Sequence, residues 1–204
     1  MSDQVFSLAK DEVFSLAKLE PGIKDIYIGL DWDPAESGAD IDLDAVLIAV
    51  GDNGKVIDGK HGECFLFYGN TGRDNNPPSP FMITEDNRDG TDTGDLDDDE
   101  AIFIYSDKIT DDMIEIHIFV TYHDAKGRTL TDVSRIGMRA APLVDGGPDV
   151  SNQATYDVRD CGGGEGAHMC SLIRNPAGGW DIKAVGEQAG NLAQIAEVHG
   201  LKIS

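Results

Sequence analysis

Short runs of β-branched and aromatic residues recur along the chain and are separated by turns rich in glycine and proline. The runs lie at residues 24–30, 41–50, 64–68, 101–105, 114–122, 134–139, 153–158, 168–174 and 180–185. Runs of this length with turn signals between them are typical of a sandwich or a barrel. The pattern therefore predicts an all-β protein, in which residues 31–34 (DWDP) form a turn because of their proline.

The first twenty residues contain an octapeptide that is nearly duplicated. Residues 5–12 read VFSLAKDE and residues 13–20 read VFSLAKLE. Apolar and small or polar positions alternate in both copies, as they do in a half-buried strand. We expect two short edge strands, with a helix as the alternative.

One segment near the end of the chain has helical spacing. Within residues 187–199, Leu192, Ile195, Ala196 and His199 lie at positions that share one helix face. Gly200 follows them, and glycine commonly ends a helix. The spacing predicts a short C-terminal helix that stops at this glycine.

Two segments are dense in carboxylates. Nine of the sixteen residues from 85 to 100 are Asp or Glu, and residues 31–44 contain six acids and no base. Two like charges about 5 Å apart repel by roughly 3 kcal/mol at an effective dielectric constant near 20. The longer run therefore either stays disordered or binds a cation, and the shorter one is either a solvated strand edge or part of the same site.

Asp40, Asp42 and Asp44 alternate with apolar residues. Side chains on one face of a strand are roughly 6.6 Å apart, so the three acids project together while Ile41 and Leu43 face the core. Neighbouring carboxylates at this spacing can share a cation, which would place acidic metal-binding loops at one end of a sheet.

Calcium is the metal that these residues suit best. Carboxylates, Asn side chains such as Asn70 and Asn87, and backbone carbonyls are oxygen ligands, and calcium accepts six to eight of them in flexible geometry. Neither segment is an EF-hand, because Ala45 and Gly51 occupy the glycine and glutamate positions of a loop that starts at Asp40.

Other chemistries have weaker signals. The five histidines are scattered without the spacing of a zinc site, and the cysteines do not pair with them. A metal-dependent hydrolase acting on a phosphoryl or glycosyl substrate is the alternative function, and it would need a base such as His123 beside the ion. Chelation of toxic species by Cys161 and Cys170 is a third hypothesis, although no basic cluster surrounds them.

Composition narrows the class of partner. The 204 residues carry a formal net charge of −22, which argues against binding to nucleic acid or to an anionic membrane surface. We expect a single domain over residues 1–204, with no signal peptide and no transmembrane segment. The odd number of cysteines, three in total and none in a CxxC pair, favours reduced thiols and a cytoplasmic location.

The chain resembles the TerD family of tellurium-resistance and general stress proteins over nearly its whole length. The resemblance rests on the duplicated opening and on residues 29–33 (GLDWD), 40–45 (DIDLDA), 67–70 (FYGN), 85–88 (EDNR), 94–100 (GDLDDDE), 119–125 and 180–186. Together these motifs are specific. The acidic loop is about three residues longer than the family pattern, which leaves open whether Asp97, Asp98 or Asp99 fills each ligand position.

The resemblance implies a β-sandwich that binds two adjacent calcium ions. It also implies a binding module that works with protein partners of a stress-response complex, and no catalytic reaction. The implied calcium ligands, carried over by motif, are Asp40, Asp42, Asp44, Asn70, Asp86, Asn87, Asp95, Asp98, Asp99 and Glu100.

Overall fold

A computed structural model describes residues 4–34, 41–75, 79–84, 98–158 and 162–203. Within these ranges the chain consists mostly of β-strands. The strands are β1 Gln4–Ser7, β2 Val13–Ser15, β3 Asp25–Pro34, β4 Leu43–Val50, β5 Phe65–Leu66, β6 Phe81–Ile83, β7 Glu100–Tyr105, β8 Glu115–Tyr122, β9 Val133–Val144, β10 Gly147–Pro148, β11 Asn152–Val158, β12 Gly166–Arg174 and β13 Trp180–Ala189. The α-helices are α1 His61–Cys64 and α2 Leu192–Val198, and single 3-10 turns lie at Leu16–Lys18, Ser106–Lys108 and Leu130–Asp132.

The strands form two sheets. The first has the order β1-β11-β9-β3-β7-β6, with β10 paired to β9, and the second has the order β2-β13-β12-β8-β4-β5. β1 runs parallel to β11, and the other strand pairs described are antiparallel. The all-β sandwich with a short C-terminal helix is therefore confirmed.

One hydrophobic core joins the two sheets. It contains Ile26, Ile28 and Leu30 from β3 together with Leu43 and Leu47 from β4, and each is fully buried. Burying side chains of this size contributes about 1.5–3 kcal/mol each relative to exposure. The sandwich therefore gains most of its stability between the sheets.

The second sheet is also covered on its outer face. Every residue of β4 is buried, so the strand does not show the alternation of a half-exposed strand. Ile195 and Ala196 of α2 and Leu201 beyond it are buried in the same core cluster. The C-terminal segment therefore shields this face from water.

The duplicated octapeptide forms edge strands, as predicted. β1 lies at one edge of the first sheet and β2 at one edge of the second. Phe6 and Phe14, which are equivalent residues of the two copies, contact each other with ring centroids 4.9 Å apart. The two copies therefore meet across the same side of the sandwich.

The predicted turn at residues 31–34 is wrong. β3 continues through these residues and pairs with β9, and the register shifts between Asp33 and Pro34. The proline is the last residue of the strand, where the missing N–H interrupts no further ladder bond. This extension carries Asp31 and Asp33 onto the sheet.

The predicted limits of two other elements also change. α2 begins at Leu192, because residues up to Ala189 belong to β13 and Asn191 caps the helix by accepting a hydrogen bond from the N–H of Gln194. Cys64 ends α1 and does not begin a strand. Gly200 ends the helical segment at φ +86°, as expected. Among the described residues, no helix is both long and apolar enough to cross a membrane.

Candidate functional site

Acidic residues from both sheets meet at one end of the sandwich. Leu30 pairs with Glu100 where β7 begins, and Leu43 pairs with Tyr122 where β4 begins. The Glu100 side chain joins these two places, because its Oε2 accepts a 2.7 Å hydrogen bond from the N–H of Ala45. The start of β4, the start of β7 and the end of β3 therefore form one acidic end.

Glu100 is buried in the space between the sheets. Its side chain lies on the core face of β7, opposite Leu30, and the residue is 3% exposed. Its hydrogen bond to the backbone of β4 ties the start of β7 to the second sheet. The residue is thus a buried carboxyl group that connects the two sheets.

Asp99 directly precedes β7 and forms hydrogen bonds with the end of β3. Its Oδ2 accepts a 2.8 Å hydrogen bond from the N–H of Trp32, and its own N–H donates to the carbonyl of Leu30. Burial raises the pKa of this carboxyl group to about 6, and the charges of Asp31 and Asp98 act in the same direction. A nearby cation would counter this repulsion.

Asp98 has a different environment, on the outer face of the first sheet. Tyr27 donates its hydroxyl to Oδ2 at 2.7 Å, and Arg139 Nε pairs with Oδ1 at 2.8 Å. A Cβ atom at Gly29 would overlap the carboxylate, so this glycine provides the space for it. Burial raises the pKa of Asp98, while the bonds from Tyr27 and Arg139 oppose that rise.

We expect Tyr27→Phe to lower the free energy of unfolding by about 1–2 kcal/mol, because a hydrogen bond to a charged acceptor is lost. Tyr105→Phe is the matched control, since the ring of Tyr105 packs under the ammonium group of Lys108 at 4.3 Å. Urea unfolding measures both variants. Equal losses would show that the bond from Tyr27 to Asp98 does not stabilise the fold.

Asp44 is paired with a histidine in the second sheet. The residue is 2% exposed, and His123 Nδ1 donates to its Oδ2 at 3.1 Å. Tyr68 packs against the imidazole with a centroid distance of 4.7 Å. These three residues line a cavity of about 490 Å³ whose wall includes Asn191 and Ile203. The cavity opens beside one of the predicted calcium ligands.

Asn70 and Asp42 contribute to the loops at this part of the molecule. The Asn70 amide nitrogen donates to the carbonyl oxygens of Gly62 and Phe65, so a ligand role would fall to its carbonyl oxygen. Asp42 accepts a backbone hydrogen bond from His123 through its carbonyl oxygen. Asn70 thus fixes its own loop, while Asp42 joins the start of β4 to the end of β8.

Four predicted ligands lie outside the described residues: Asp40, Asp86, Asn87 and Asp95. The structure therefore describes six of the ten. Asp42, Asp44, Asp99 and Glu100 lie at the acidic end, Asp98 turns to the outer face, and Asn70 lies in the loop after β5. Within the described ranges, no group of three or more His, Cys, Asp or Glu side chains has the arrangement of a metal site. The calcium prediction stays a prediction.

Two further acids near this end form ion pairs with an arginine. Arg135 forms ion pairs with Asp31 and with Asp33, the latter at 2.8 Å, and it reaches Asp157 at 3.1 Å. This outer-face network compensates part of the charge of residues 31–44. Asp31 and Asp33 are therefore held by the sheet.

The structure contains a cluster of three histidines that the spacing of histidines in the sequence does not predict. His117 on β8, His168 on β12 and His199 after α2 come together on the outer face of the second sheet, although they are far apart in sequence. The His117 ring lies 5.1 Å from each of the other two, measured between centroids. The register of β8 with β12 and the docking of α2 together produce this arrangement.

The described cysteines are poor candidates for chelation. Cys64 and Cys170 are buried, and burial raises the pKa of both thiols, to about 12 for Cys64. A thiol is a metal ligand and a nucleophile only as the thiolate. Cys161 lies outside the described residues.

Comparison with known proteins gives consistent matches. The family model described as the TerD domain matches residues 5–199. A protein named tellurium resistance protein TerD from Serratia marcescens is 32% identical over 202 residues, which cover 97% of this chain and 98% of the relative. General stress protein 16U from Bacillus subtilis (strain 168) is 27% identical over 202 residues, which cover 97% of this chain and 98% of the relative. The crystal structure of a homologue of telluride resistance protein (TerD) from Streptomyces coelicolor A3(2) has the same fold, with a TM-score of 0.58, 20% identity and coverage of 88% and 99%.

Proposed function

Because the chain belongs to the TerD family, we propose that it is a calcium-binding module of a tellurite or general stress response. It acts in the cytoplasm through calcium-dependent contacts with protein partners and without catalysis. The names of the relatives, tellurium resistance protein and general stress protein, support the stress role. Neither name describes a hydrolase.

The calcium proposal rests on buried negative charge at the acidic end. Asp44 and Glu100 are 2% and 3% exposed, and Asp99 is held beside the ends of the same strands. Burying an ionised carboxylate is costly unless a partner compensates its charge. His123 and two backbone N–H groups provide part of that compensation. A divalent cation bound at this end would lower that cost further.

The donor set fits calcium. Asp42, Asp44, Asp99 and Glu100 would hold the ions together with Asp40, Asp86, Asn87 and Asp95, and all of these offer oxygen atoms. Asn70 would contribute its carbonyl oxygen, while Asp98 is the weakest of the ten because Arg139 already neutralises it. Two bound ions would join the first sheet to the second.

Calorimetric titration with calcium tests the ligands. We expect Asp44→Asn and Asp99→Asn each to weaken binding by about tenfold or more, because each loses a charged oxygen at the site. Asp111→Asn, at an exposed position outside the acidic end, is the control and should bind as the unaltered chain does. Equal weakening by all three variants would mean that only bulk charge attracts calcium.

Cell survival in tellurite tests the stress role. Cells that depend on this chain for resistance should lose it with the double variant Asp44→Asn and Asp99→Asn, provided that the protein is present at equal levels. Cys161→Ser with Cys170→Ser should keep both resistance and calcium binding, because calcium prefers oxygen to sulfur. Loss of resistance only in the cysteine variant would show that the thiols, and not the calcium ligands, are needed for resistance.

A further inference from the structure

Three imidazoles pack together beneath the C-terminal helix. His117 Nδ1 lies 2.9 Å from Ser171 Oγ, and His168 Nε2 lies 3.0 Å from the same oxygen. The His117 ring is 5.1 Å from the rings of both His168 and His199, and Phe119 stacks on His168 at 4.4 Å. The group, defined here as the histidine cluster, occupies the outer face of β8 and β12.

The helix and a neighbouring turn cover this cluster. Ile195 and Val198 of α2 line a cavity of about 430 Å³ together with the three histidines. Lys55 Nζ donates to the carbonyl of Val198 at 2.5 Å, and the N–H of Val56 donates to the carbonyl of His199. The turn therefore fixes the end of α2, and α2 in turn closes one side of the cluster.

Two of the histidines donate hydrogen bonds to carbonyl oxygens. His168 Nε2 lies 3.2 Å from the carbonyl of Cys170, and His199 Nδ1 lies 3.1 Å from the carbonyl of Gly54. A carbonyl oxygen only accepts, so these two nitrogens carry the protons. The opposite nitrogens, His168 Nδ1 and His199 Nε2, are the ones that would take up a further proton.

Charged groups of both signs surround the cluster. Glu115 Oε1 lies 3.8 Å from His117 Nδ1, and Glu187 lines the cavity, so both carboxylates favour a protonated ring. Lys55 acts on His199 and Lys183 on His168 in the opposite direction. Burial is the largest influence on the pKa of all three rings, and it opposes protonation.

Burial favours the neutral form of all three rings. It lowers the pKa of His117 to about 3 and of His168 to about 4, and it lowers the pKa of His199 as well. An unfolded histidine has a pKa near 6.5, so the folded state binds fewer protons than the open state below that value. The docked state is thus fully favoured above about pH 6.5 and loses stability as the pH falls toward about 4.

We infer that the histidine cluster is a proton-sensitive latch that holds α2 and residues 199–203 on the second sheet, and that acidification releases them. Ile203 lines the cavity beside Asp44 and His123. Release of this segment would therefore remove one wall of that cavity. The inference does not rest on the proposed calcium function, since none of the three histidines is a predicted ligand.

Amide hydrogen exchange in α2 tests the latch, with calcium held constant. Between about pH 7.5 and pH 5, and after correction for intrinsic exchange, we expect the opening constant of α2 to rise by about thirtyfold for each histidine that opening exposes. His168→Gln should reduce this rise, because glutamine keeps an N–H donor and does not titrate. His61→Gln, at an exposed histidine on α1, should leave it unchanged.

Ring titration by NMR provides a readout that needs no variant. The C2 protons of His117 and His168 should stay in their neutral positions down to the pH at which α2 opens. The inference is overturned if either ring titrates near pH 6.5 while α2 remains protected. It is equally overturned if α2 exchange does not depend on pH, or if His168→Gln and the unaltered chain respond alike.

Discussion

Calcium is expected to raise the free energy of unfolding by about 2.7 kcal/mol per site at a concentration a hundredfold above the dissociation constant, if the unfolded chain does not bind it. Two sites would together add about 5 kcal/mol. For a protein of this size, each additional kcal/mol in the free energy of unfolding raises Tm by about 2–4 °C. Thermal unfolding in millimolar calcium, compared with excess chelator, measures the shift.

Magnesium at the same concentration is the control for this experiment. It screens charge as calcium does, but it requires tighter octahedral geometry and releases its water reluctantly. We expect a much smaller shift with magnesium. If both ions shift Tm equally, screening of the net charge of −22 explains the effect and no specific site is needed. An unchanged Tm in calcium would contradict the proposed function.

Glu100→Ala is expected to destabilise the fold by about 3 kcal/mol. The substitution leaves the buried N–H of Ala45 without its acceptor and opens a cavity between the sheets. Glu100→Gln keeps an oxygen that can accept this bond, so it should cost less than half as much. Urea unfolding in chelator measures both variants without any contribution from calcium.

The same pair of variants separates folding from ligand binding. Glu100→Gln should fold well and still bind calcium more weakly, because it has lost a charge at the site. Glu197→Ala, at an exposed position of α2, should change stability by less than about 0.5 kcal/mol. A Glu100→Ala protein as stable as Glu197→Ala would show that the bond between the sheets contributes nothing.

Strand positions could be predicted because each strand needs an apolar face. Val46, Leu47 and Ile48 identify β4 by composition alone, and all three are buried. The turn assigned to residues 31–34 failed because proline disrupts only the interior of a paired strand, and Pro34 stands at the end of β3. Local signals of this kind cannot say where a strand stops within its sheet.

The site was harder to predict because consecutive acids need not converge. Asp98, Asp99 and Glu100 bond to Tyr27, to Trp32 and to Ala45 respectively, so their side chains diverge to the outer face, the strand end and the core. Acid density identified the segments that meet at the acidic end without assigning these roles. The histidine cluster left no sequence signal, since its members meet only through strand register and helix docking.

The repeated octapeptide has a consequence for solubility. Val5 and Val13 are both more than half exposed, and Leu8 and Leu16 are both buried, so the two copies make equivalent use of the same residues. A chain that kept one copy could cover only one of the two neighbouring strands, β11 or β13. The uncovered strand would then form a longer open edge, of seven residues in β11 or ten in β13, where β1 and β2 have four and three. Because long edge strands recruit strands from neighbouring molecules, the repeat lowers the tendency to edge-to-edge aggregation.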